Sequence, residues 1–198
     1  MSKATVIIPN YNGIKFIEEC LEPLLAQDMP PSEYHIIVVD NGSTDGSRQL
    51  IEDAFTQAAL IALPANTGFC HAVNVGIEAA RTPYVILLNN DTKAGPGFVK
   101  ALCDSLEARP KAFSVSARML MWDAPERIDD AGDRYCVLGW AYSRGKGQPA
   151  ARYGQPAEIF SACGGAAIYR KSVLEEIGLF DETHFAYLED LDMGYRAR

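Results

Sequence analysis

Apolar positions in the first 119 residues alternate between two spacings. Apolar runs typical of buried strands lie at Ala4–Pro9, Tyr34–Asp40, Leu60–Leu63, Tyr84–Asn89 and Phe113–Met119. Between them, apolar residues recur at helical spacing within Ile14–Leu25, Leu50–Phe55, Phe69–Ala80 and Phe98–Leu106. Strands that are apolar almost throughout, each followed by a helix, indicate a parallel sheet covered on both faces. We therefore predict an α/β, Rossmann-like fold with a mostly parallel sheet and helices on both faces.

The alternation stops near Leu120, and the later part of the chain has a different pattern. An apolar stretch, Phe160–Tyr169, is interrupted by Gly164-Gly165. The sequence Ser172–Glu175 matches a capping box, which predicts a short helix that Gly178 ends.

A last helix is predicted to open at Glu189, and no cap follows it before Arg198. We therefore expect the domain to continue beyond the chain. The sequence predicts a single domain over 1–198, in which 1–119 forms one half and 120–198 the other.

Composition restricts the class of protein. The chain has 198 residues, of which 48% are apolar and 22% charged, and this is ordinary for one globular domain. Its net charge of −8 argues against a nucleic-acid partner, which requires a basic surface. Its apolar runs are far shorter than the ~20 residues that span a bilayer. Five scattered cysteines cannot form a complete disulfide framework, so we expect a reducing, cytoplasmic location.

Polar residues follow three of the predicted strands. Asn10 follows the first, Asp40 ends the second, and Asn89–Asp91 come at the end of the fourth. Each alone is typical of a turn or a helix cap. Because ligands of open α/β sheets bind beyond the carboxyl ends of the strands, three such ends favour a ligand site.

The motifs that the sequence lacks restrict the kind of ligand that this site can bind. The sequence contains neither the glycine fingerprint of nicotinamide sites nor a P-loop. A carboxylate at this edge would repel a diphosphate unless a divalent cation lay between them. Mg²⁺ and Mn²⁺ are commonly held by one or two carboxylates together with substrate phosphates. Asp91 is the predicted metal ligand, and Asp40 is placed to accept hydrogen bonds from a base or ribose.

A second acidic cluster, Glu189-Asp190 with Asp192, opens the last predicted helix. One interpretation is a solvated helix start, since acids suit the helix dipole there. The alternative is a general base, because Phe185–Leu188 directly precede it and should pack this segment against the protein. A buried carboxylate beside other carboxylates has a raised pKa and can accept a proton.

In order along nearly the whole chain, a set of short motifs resembles those of the family 2 glycosyltransferases, inverting enzymes of the GT-A fold, and most closely their rhamnosyltransferase-like branch. The matching stretches are Val6–Asn12, Val38–Gly46, Asn66–Phe69, Asn74–Gly76, Leu87–Thr92, Cys163–Ala166, Gly178–Glu182 and Glu189–Asp192.

The resemblance implies roles for individual residues. It places substrate contacts at Pro9, Asn10, Asn12, Asp40, Asn66, Gly68, Asn74, Asn90, Gly164 and Gly165. It implies that Asp40 binds the base, that the loop at 66–68 lies beside the nucleotide, and that Asn74 supports this loop. It also implies that Asp190 is the catalytic base, with Glu189 as its neighbour.

The family's metal position corresponds to Asp91, which implies Mg²⁺ or Mn²⁺ as the cofactor. Here the motif reads Asn89-Asn90-Asp91, so it has one carboxylate instead of two. Neutral amide oxygens should weaken metal binding. The family domain also continues past this chain's last helix, so the resemblance implies that these 198 residues alone bind the donor but have weak catalytic activity or none.

From the resemblance we expect metal-dependent, inverting transfer of a sugar from a nucleotide-diphosphate donor to a hydroxyl of a glycan or lipid-linked acceptor. Rhamnose on dTDP is the donor that it favours. The location expected is the cytoplasm, with a peripheral contact at the inner face of the membrane left open. Two alternatives remain, a non-catalytic nucleotide-sugar-binding module and a nucleotidyltransferase. The sequence leaves the oligomeric state open.

Overall fold

A computed structural model describes residues 2–198. The elements in chain order are β1 (Ala4–Asn10), α1 (Ile17–Leu25), β2 (Tyr34–Asp40), α2 (Ser47–Ala54), β3 (Ala59–Ala62), α3 (Phe69–Ala79), β4 (Tyr84–Leu88), α4 (Phe98–Glu107), β5 (Ser114–Ser116), β6 (Met119–Leu120), β7 (Ile128–Asp130), β8 (Asp133–Tyr135), β9 (Ala141–Ser143), a 3₁₀ helix (Ala150–Tyr153), β10 (Ala166–Arg170), α5 (Lys171–Ile177) and α6 (Glu189–Arg196).

The central sheet has six strands in the order β3-β2-β1-β4-β10-β5. Strands β1 to β4 are parallel, and β10 is antiparallel to both of its neighbours. The predicted mostly parallel sheet is therefore confirmed. The chain moves outward from β1 to β3 and then returns to β4 on the other side of β1. Such a reversal opens a crevice at the carboxyl ends of β1 and β4.

Successive residues of β1 enter two separate cores, because side chains alternate across a strand. Val6 and Ile8 pack with residues of α1, α2 and α4 on one face. Ile7 packs on the other face with Val73 and Ile77 of α3 and with residues of α5 and α6. Helices on both faces, as predicted, follow from this alternation.

The second half adds two small sheets that sequence periodicity did not predict. Strand β6 pairs with β7, and β8 forms a hairpin with β9. Both pairs are too short to show a period of two. The apolar stretch after Gly164-Gly165 becomes β10, which enters the main sheet beside β4.

The capping-box prediction at Ser172 is wrong. Helix α5 begins at Lys171, Arg170 occupies its N-cap, and no side chain caps it. Gly178 ends the helix as predicted, with a φ of 92° that favours glycine. Over residues 2–198, every helix is too short or too polar to cross a bilayer.

Candidate active site

The ends of β1, β2 and β4 bring the predicted substrate positions to one edge. Asn10 and Asp40 are paired in register at the ends of β1 and β2. Since β10 is antiparallel to β4, its first residue, Ala166, lies opposite Leu88, the last residue of β4, and Gly165 directly precedes Ala166 at the same edge. The Asn89 N–H donates to the Gly165 carbonyl at 2.9 Å, which joins the two sides.

Asn10 connects the three loops at this edge. Its side chain is fully buried, and its Nδ2 donates to Asp40 Oδ1 at 2.9 Å and to Ser47 Oγ at 3.0 Å. Its Oδ1 accepts from Asn90 Nδ2 at 2.8 Å. A Cβ at Gly13 would lie 2.2 Å from Asn90 Nδ2, so this contact requires a glycine there. The side chains of Asn10 and Asn90 thus shape the edge, and the Asn10 carbonyl also joins the first two loops, since it accepts from the Asn41 N–H at 2.7 Å. Pro9 is the partly buried residue before Asn10 in β1.

Asp40 is turned into the protein, with 1% of its surface exposed. Its Oδ1 accepts from Asn10, and its Oδ2 accepts from the Ser43 N–H at 3.1 Å. Each carboxylate oxygen can accept a second hydrogen bond. A nucleobase at this position would therefore meet carboxylate oxygens whose orientation two hydrogen-bond donors already fix.

Asn12 joins the loop after β1 to the loop after β2. Its φ of 50° is left-handed, a conformation that asparagine tolerates. Its N–H donates to Ser43 Oγ at 2.9 Å, and its Oδ1 accepts from the Thr44 N–H at 2.9 Å.

Asn41 supports the loop at 66–68, a role that the sequence did not reveal. Its buried Nδ2 donates to Asn66 Oδ1 and to the Gly68 carbonyl, both at 3.0 Å. Its Oδ1 accepts from the Thr67 N–H at 2.9 Å. Asn followed by Gly after a strand is typical of any turn, so no sequence signal distinguished this one.

Asn74 does not hydrogen-bond to the 66–68 loop, which corrects the predicted contact. Its Nδ2 donates to the Phe180 carbonyl at 2.8 Å and to Glu182 Oε1 at 3.0 Å. Its Oδ1 accepts from the Phe180 N–H at 3.0 Å. The reason is its position within α3, where it faces the loop after α5.

The start of α6 places two carboxyl groups beside Gly164. Tyr187 and Leu188 have φ values of 74° and 69°, so the chain turns sharply before the helix. Glu189 is buried, with its Oε1 3.7 Å from the Cβ position of Gly164, and its Oε2 has no hydrogen-bond partner among the described residues. Asp190 Oδ1 accepts from the Leu191 N–H at 2.8 Å.

The surroundings of this cluster oppose ionisation. Burial raises the pKa of Asp190 above its ordinary value, although backbone hydrogen bonds from Leu191 and Gly164 act in the opposite direction. Burial also raises the pKa of Glu189, and the charge of Asp190 adds to this effect. The raised pKa expected for a general base at this position is therefore present.

Two further carboxyl groups belong to the cluster and were missed by sequence reasoning. Burial, followed by the charges of Asp190 and Asp130, raises the pKa of Asp133 to about 7. Ser161 Oγ donates to Asp133 at 3.2 Å, and Asp130 accepts from the Gly132 N–H at 2.6 Å and from the Ser143 hydroxyl. The concentration of acids at 129–133 was the available signal.

The metal position has one protein carboxylate. Asp91 is exposed and follows β4 at the same edge. Within the described chain, no three His, Cys, Asp or Glu side chains are grouped to hold a metal ion by themselves. A single carboxylate fits a Mg²⁺-type ion that takes its other ligands from substrate phosphates and water.

A cavity of about 910 Å³ adjoins the cluster. It lies among α4, β5, the segment 153–162 and α6. Among the predicted site residues, Asp190 lines this cavity, while the predicted residues at the ends of β1, β2 and β4 do not. Because Asp190 also lies beside Gly164 at the sheet edge, its carboxyl group stands between the edge and the cavity.

The comparisons of this chain with known proteins agree on one family. The model of "Glycosyl transferase family 2" matches residues 5–178. An N-acetylglucosaminyl-diphospho-decaprenol L-rhamnosyltransferase of Mycobacterium tuberculosis is 30% identical over 220 residues, which cover 96% of this chain and 69% of that protein.

Solved structures show the same fold. The crystal structure of TarS from S. aureus has a TM-score of 0.75 at 22% identity, and it covers 98% of this chain and 33% of TarS. A shorter TarS structure, in complex with UDP-GlcNAc, has a TM-score of 0.72. The mannosyltransferase PcManGT from Pyrobaculum calidifontis, in complex with GDP-Man and Mn²⁺, has a TM-score of 0.65 at 22% identity and covers 91% of this chain and 48% of PcManGT.

Proposed function

Because this chain belongs to glycosyl transferase family 2 and is a glycosyltransferase domain of GT-A type, we propose that it transfers a sugar from a nucleotide-diphosphate donor to an acceptor hydroxyl with inversion. Rhamnose is the sugar favoured, since the relative that matches nearly the whole chain is a rhamnosyltransferase. Residues 1–119 bind the donor, and 120–198 supply the base and the acceptor site.

The position of Asp190 carries the proposal. Its carboxyl group lies between the sheet edge, where the donor binds, and the cavity, from which an acceptor can approach. Its raised pKa strengthens it as a proton acceptor, because the affinity of a base for a proton increases with its pKa. The two substrates thus meet at the strongest candidate base.

The reaction is a single displacement. Asp190 removes the proton from the acceptor hydroxyl, and the oxygen attacks the anomeric carbon from the face opposite the diphosphate. Asn10, Asp40 and Asn90 hold the loops that position the nucleoside. Asp91 would hold a divalent cation, and that cation would neutralise negative charge on the diphosphate leaving group. The diphosphate then needs no general acid, unlike the leaving group in glycoside hydrolysis.

Replacement of Asp190 by Asn tests the assignment. We expect Asp190→Asn to retain donor affinity and to lose about 10²-fold or more in turnover, since proton transfer typically contributes this much. Asp192→Asn is the matched control on the same helix, because the Asp192 carboxylate is paired with Arg196 at 2.8 Å. Near-normal turnover of Asp190→Asn would refute its role as the base.

Identifying the released nucleotide distinguishes glycosyl transfer from the two alternatives, a nucleotidyltransferase and a binding module. Glycosyl transfer releases a nucleoside diphosphate, whereas nucleotidyl transfer breaks the bond within the diphosphate. A binding module would take up nucleotide sugar without releasing either product. The assay should follow both nucleotides with the wild-type chain.

We also propose that the acceptor side contacts a membrane surface. The β8–β9 hairpin exposes Val137, Leu138 and Trp140, with 101%, 81% and 70% of their surfaces accessible. Exposed apolar side chains next to tryptophan and tyrosine are typical of segments that enter a lipid interface. Strand β8 also carries Asp133, so the hairpin starts beside the acidic cluster.

A further inference from the structure

Helix α6, which carries Asp190, is preceded by an exposed connecting segment, residues 181–188. Phe180 before this segment and Glu189 after it are buried, with 2% and 8% of their surfaces accessible. Between them, every residue is exposed apart from His184, which is partly buried. Because few buried apolar contacts hold such a segment, its conformation depends mainly on hydrogen bonds.

The connecting segment ends in an unfavourable backbone conformation. Tyr187 and Leu188 have φ values of 74° and 69°, in the left-handed region that residues with a Cβ avoid. Their side chains are exposed, so packing does little to offset this cost. Such a conformation persists only where the surrounding structure fixes the chain on both sides of it. The burial of Glu189 fixes the far side, and the near side must be held before Tyr187.

Helix α3 supplies the hydrogen bonds on the near side. The side chain of Asn74 is buried, and its Nδ2 donates to the Phe180 carbonyl at 2.8 Å and to Glu182 Oε1 at 3.0 Å. Asn74 Oδ1 accepts from the Phe180 N–H at 3.0 Å. The other carboxylate oxygen, Glu182 Oε2, lies 2.9 Å from His71 Nδ1. Both carboxylate oxygens of Glu182 are therefore hydrogen-bonded to side chains of α3.

A further contact joins the connecting segment to the start of α3. The Phe69 N–H donates to the Phe185 carbonyl at 2.8 Å. A Cβ at Gly68 would lie 2.9 Å from that carbonyl oxygen, so this close approach requires a glycine. The Gly68 carbonyl itself accepts from Asn41 Nδ2 at 3.0 Å. The loop predicted beside the nucleotide thus has a support outside the connecting segment.

We propose that Glu182 is a positioning residue for Asp190. Its contacts with Asn74 and His71 fasten the connecting segment to α3. The fastened segment maintains the turn before α6 and thereby keeps the Asp190 carboxyl group beside Gly164. The consequence for turnover rests on the proposed function, whereas the place of Asp190 can be measured without turnover.

The ionisation of Asp190 reports its place. Burial is the largest effect on its pKa and raises it, the charge of Asp130 adds to this, and the N–H groups of Leu191 and Gly164 oppose it. If the start of α6 leaves this place, the carboxyl group becomes better solvated and its pKa falls toward the ordinary value of 3.8. NMR titration of ¹³C-labelled aspartate carboxyl groups measures the pKa, and Asp190→Asn identifies the resonance.

Three variants of exposed carboxylates test the proposal. Glu182→Ala removes both contacts at a half-exposed side chain, and we expect it to lower the pKa of Asp190. Glu182→Gln removes the same charge, but its amide can still accept from Asn74 and donate to neutral His71, so Asp190 should titrate as in the wild type. Glu78→Ala removes an exposed carboxylate at the other end of α3 and should also leave this titration unchanged.

Asn74→Ala tests the same attachment from the side of the helix. This variant frees Phe180 as well as Glu182, so it should lower the pKa of Asp190 at least as far as Glu182→Ala does. Circular dichroism and urea unfolding establish whether it folds. If it does not, the variants at Glu182 and Glu78 decide the question, since both side chains are at the surface.

Two results would overturn the positioning role. One is an Asp190 that titrates in Glu182→Ala as it does in the wild type. The other is an equal fall of the Asp190 pKa in Glu182→Gln, because charge would then account for the effect. Where the proposed transfer holds, Glu182→Ala should also lower kcat about tenfold or more, since a displaced base slows the chemical step. The KM for the donor should stay unchanged, because Asn41 still supports the loop beside the nucleotide.

This proposal and the proposed function fail separately. If Asp190→Asn retains turnover while Glu182→Ala lowers the pKa of Asp190, the base assignment is wrong and the positioning role stands. If Asp190→Asn abolishes turnover while Glu182→Ala leaves the pKa of Asp190 unchanged, the base assignment stands and the positioning role is wrong.

Discussion

The carboxyl groups around the start of α6 lie in surroundings that oppose their ionisation. Asp190, Glu189 and Asp133 all have pKa values raised first by burial, and for Glu189 and Asp133 the neighbouring charge of Asp190 adds to the effect. Such a cluster lowers stability at neutral pH, because folding must keep like charges together in a poorly solvated place. Its persistence at a sheet edge beside a cavity is consistent with a catalytic role.

The titration of Asp133 should make stability depend on pH. Its pKa is about 7 in the folded chain, against an ordinary value of 3.8, so the folded state binds more protons between these two values. The free energy of unfolding should therefore fall as pH rises through this window. We expect Asp133→Asn to stabilise the protein by about 1–2 kcal/mol more at pH 8 than at pH 5, less than the full linkage value because the carboxyl group is partly solvated.

Urea unfolding at the two pH values measures this difference. Asp53→Asn, at an exposed site on α2, corrects for the type of substitution. A stabilisation by Asp133→Asn that is the same at pH 5 and pH 8 would contradict the raised pKa.

The single carboxylate at the metal position leads to a second prediction. Binding of UDP, dTDP or GDP should require Mn²⁺, and Asp91→Ala should weaken it about tenfold or more, because the cation would lose its protein ligand. Calorimetric titration with and without Mn²⁺ measures this and identifies the preferred base. Asp53→Ala is the exposed carboxylate control, and equal nucleotide affinity with and without Mn²⁺ would exclude metal-dependent binding.

At the scale of secondary-structure elements, helix α3 packs closely against the sheet at Gly76. The close approach depends on Gly76, since a Cβ there would lie 2.3 Å from Ile7 Cγ2 and 3.3 Å from Val39 Cγ2. Phe69 N–H, at the start of the same helix, donates to the Phe185 carbonyl at 2.8 Å. How closely α3 packs on the sheet therefore affects the position of the loop that leads to Glu189.

Gly76→Ala should lower the free energy of unfolding by about 1–3 kcal/mol, because an added methyl group in a packed core forces its neighbours to move. Gly95→Ala is the control, since nothing lies within 4 Å of the Cβ position there. Denaturant unfolding of both variants measures the difference. If the two changes were equal, the close packing of α3 would not contribute to stability.

At the scale of the whole molecule, charge and exposed apolar surface are unevenly distributed. The chain has a net charge of −8, yet the segment 134–157 contains four cations and no Asp or Glu. Within the described part of the chain, Arg134 and Arg152 form no ion pair, whereas Lys146 is paired with Asp129 at 3.0 Å. The same segment contains the apolar tip of the β8–β9 hairpin, and this combination suits an anionic lipid surface.

The membrane contact predicts binding to lipid vesicles. We expect the protein to sediment with phosphatidylcholine–phosphatidylglycerol vesicles, and Leu138→Ser with Trp140→Ser to weaken this about tenfold or more, since buried apolar area and charge both drive interfacial binding. Ile14→Ser with Phe16→Ser removes two exposed apolar side chains elsewhere and is the control. No sedimentation of the wild type, or equal loss in both variants, would contradict the hairpin contact.

The sequence by itself determined the fold class, the family and the order of elements in the first half. The reason is that strands buried on both faces must be apolar throughout, and helices on a sheet must carry an apolar face, so both patterns are local. The same locality explains why β2 was predicted at its exact bounds. The residues at the carboxyl ends of β1, β2 and β4 were also readable, because a parallel sheet brings these ends to one edge.

Only the tertiary structure decided which side chains face one another. It assigned the support of the 66–68 loop to Asn41 instead of Asn74, and it added Asp130 and Asp133 to the cluster at Asp190. Hydrogen bonds and pKa shifts depend on contacts between residues far apart in the chain, and the spacing of residues within one segment carries no record of such contacts.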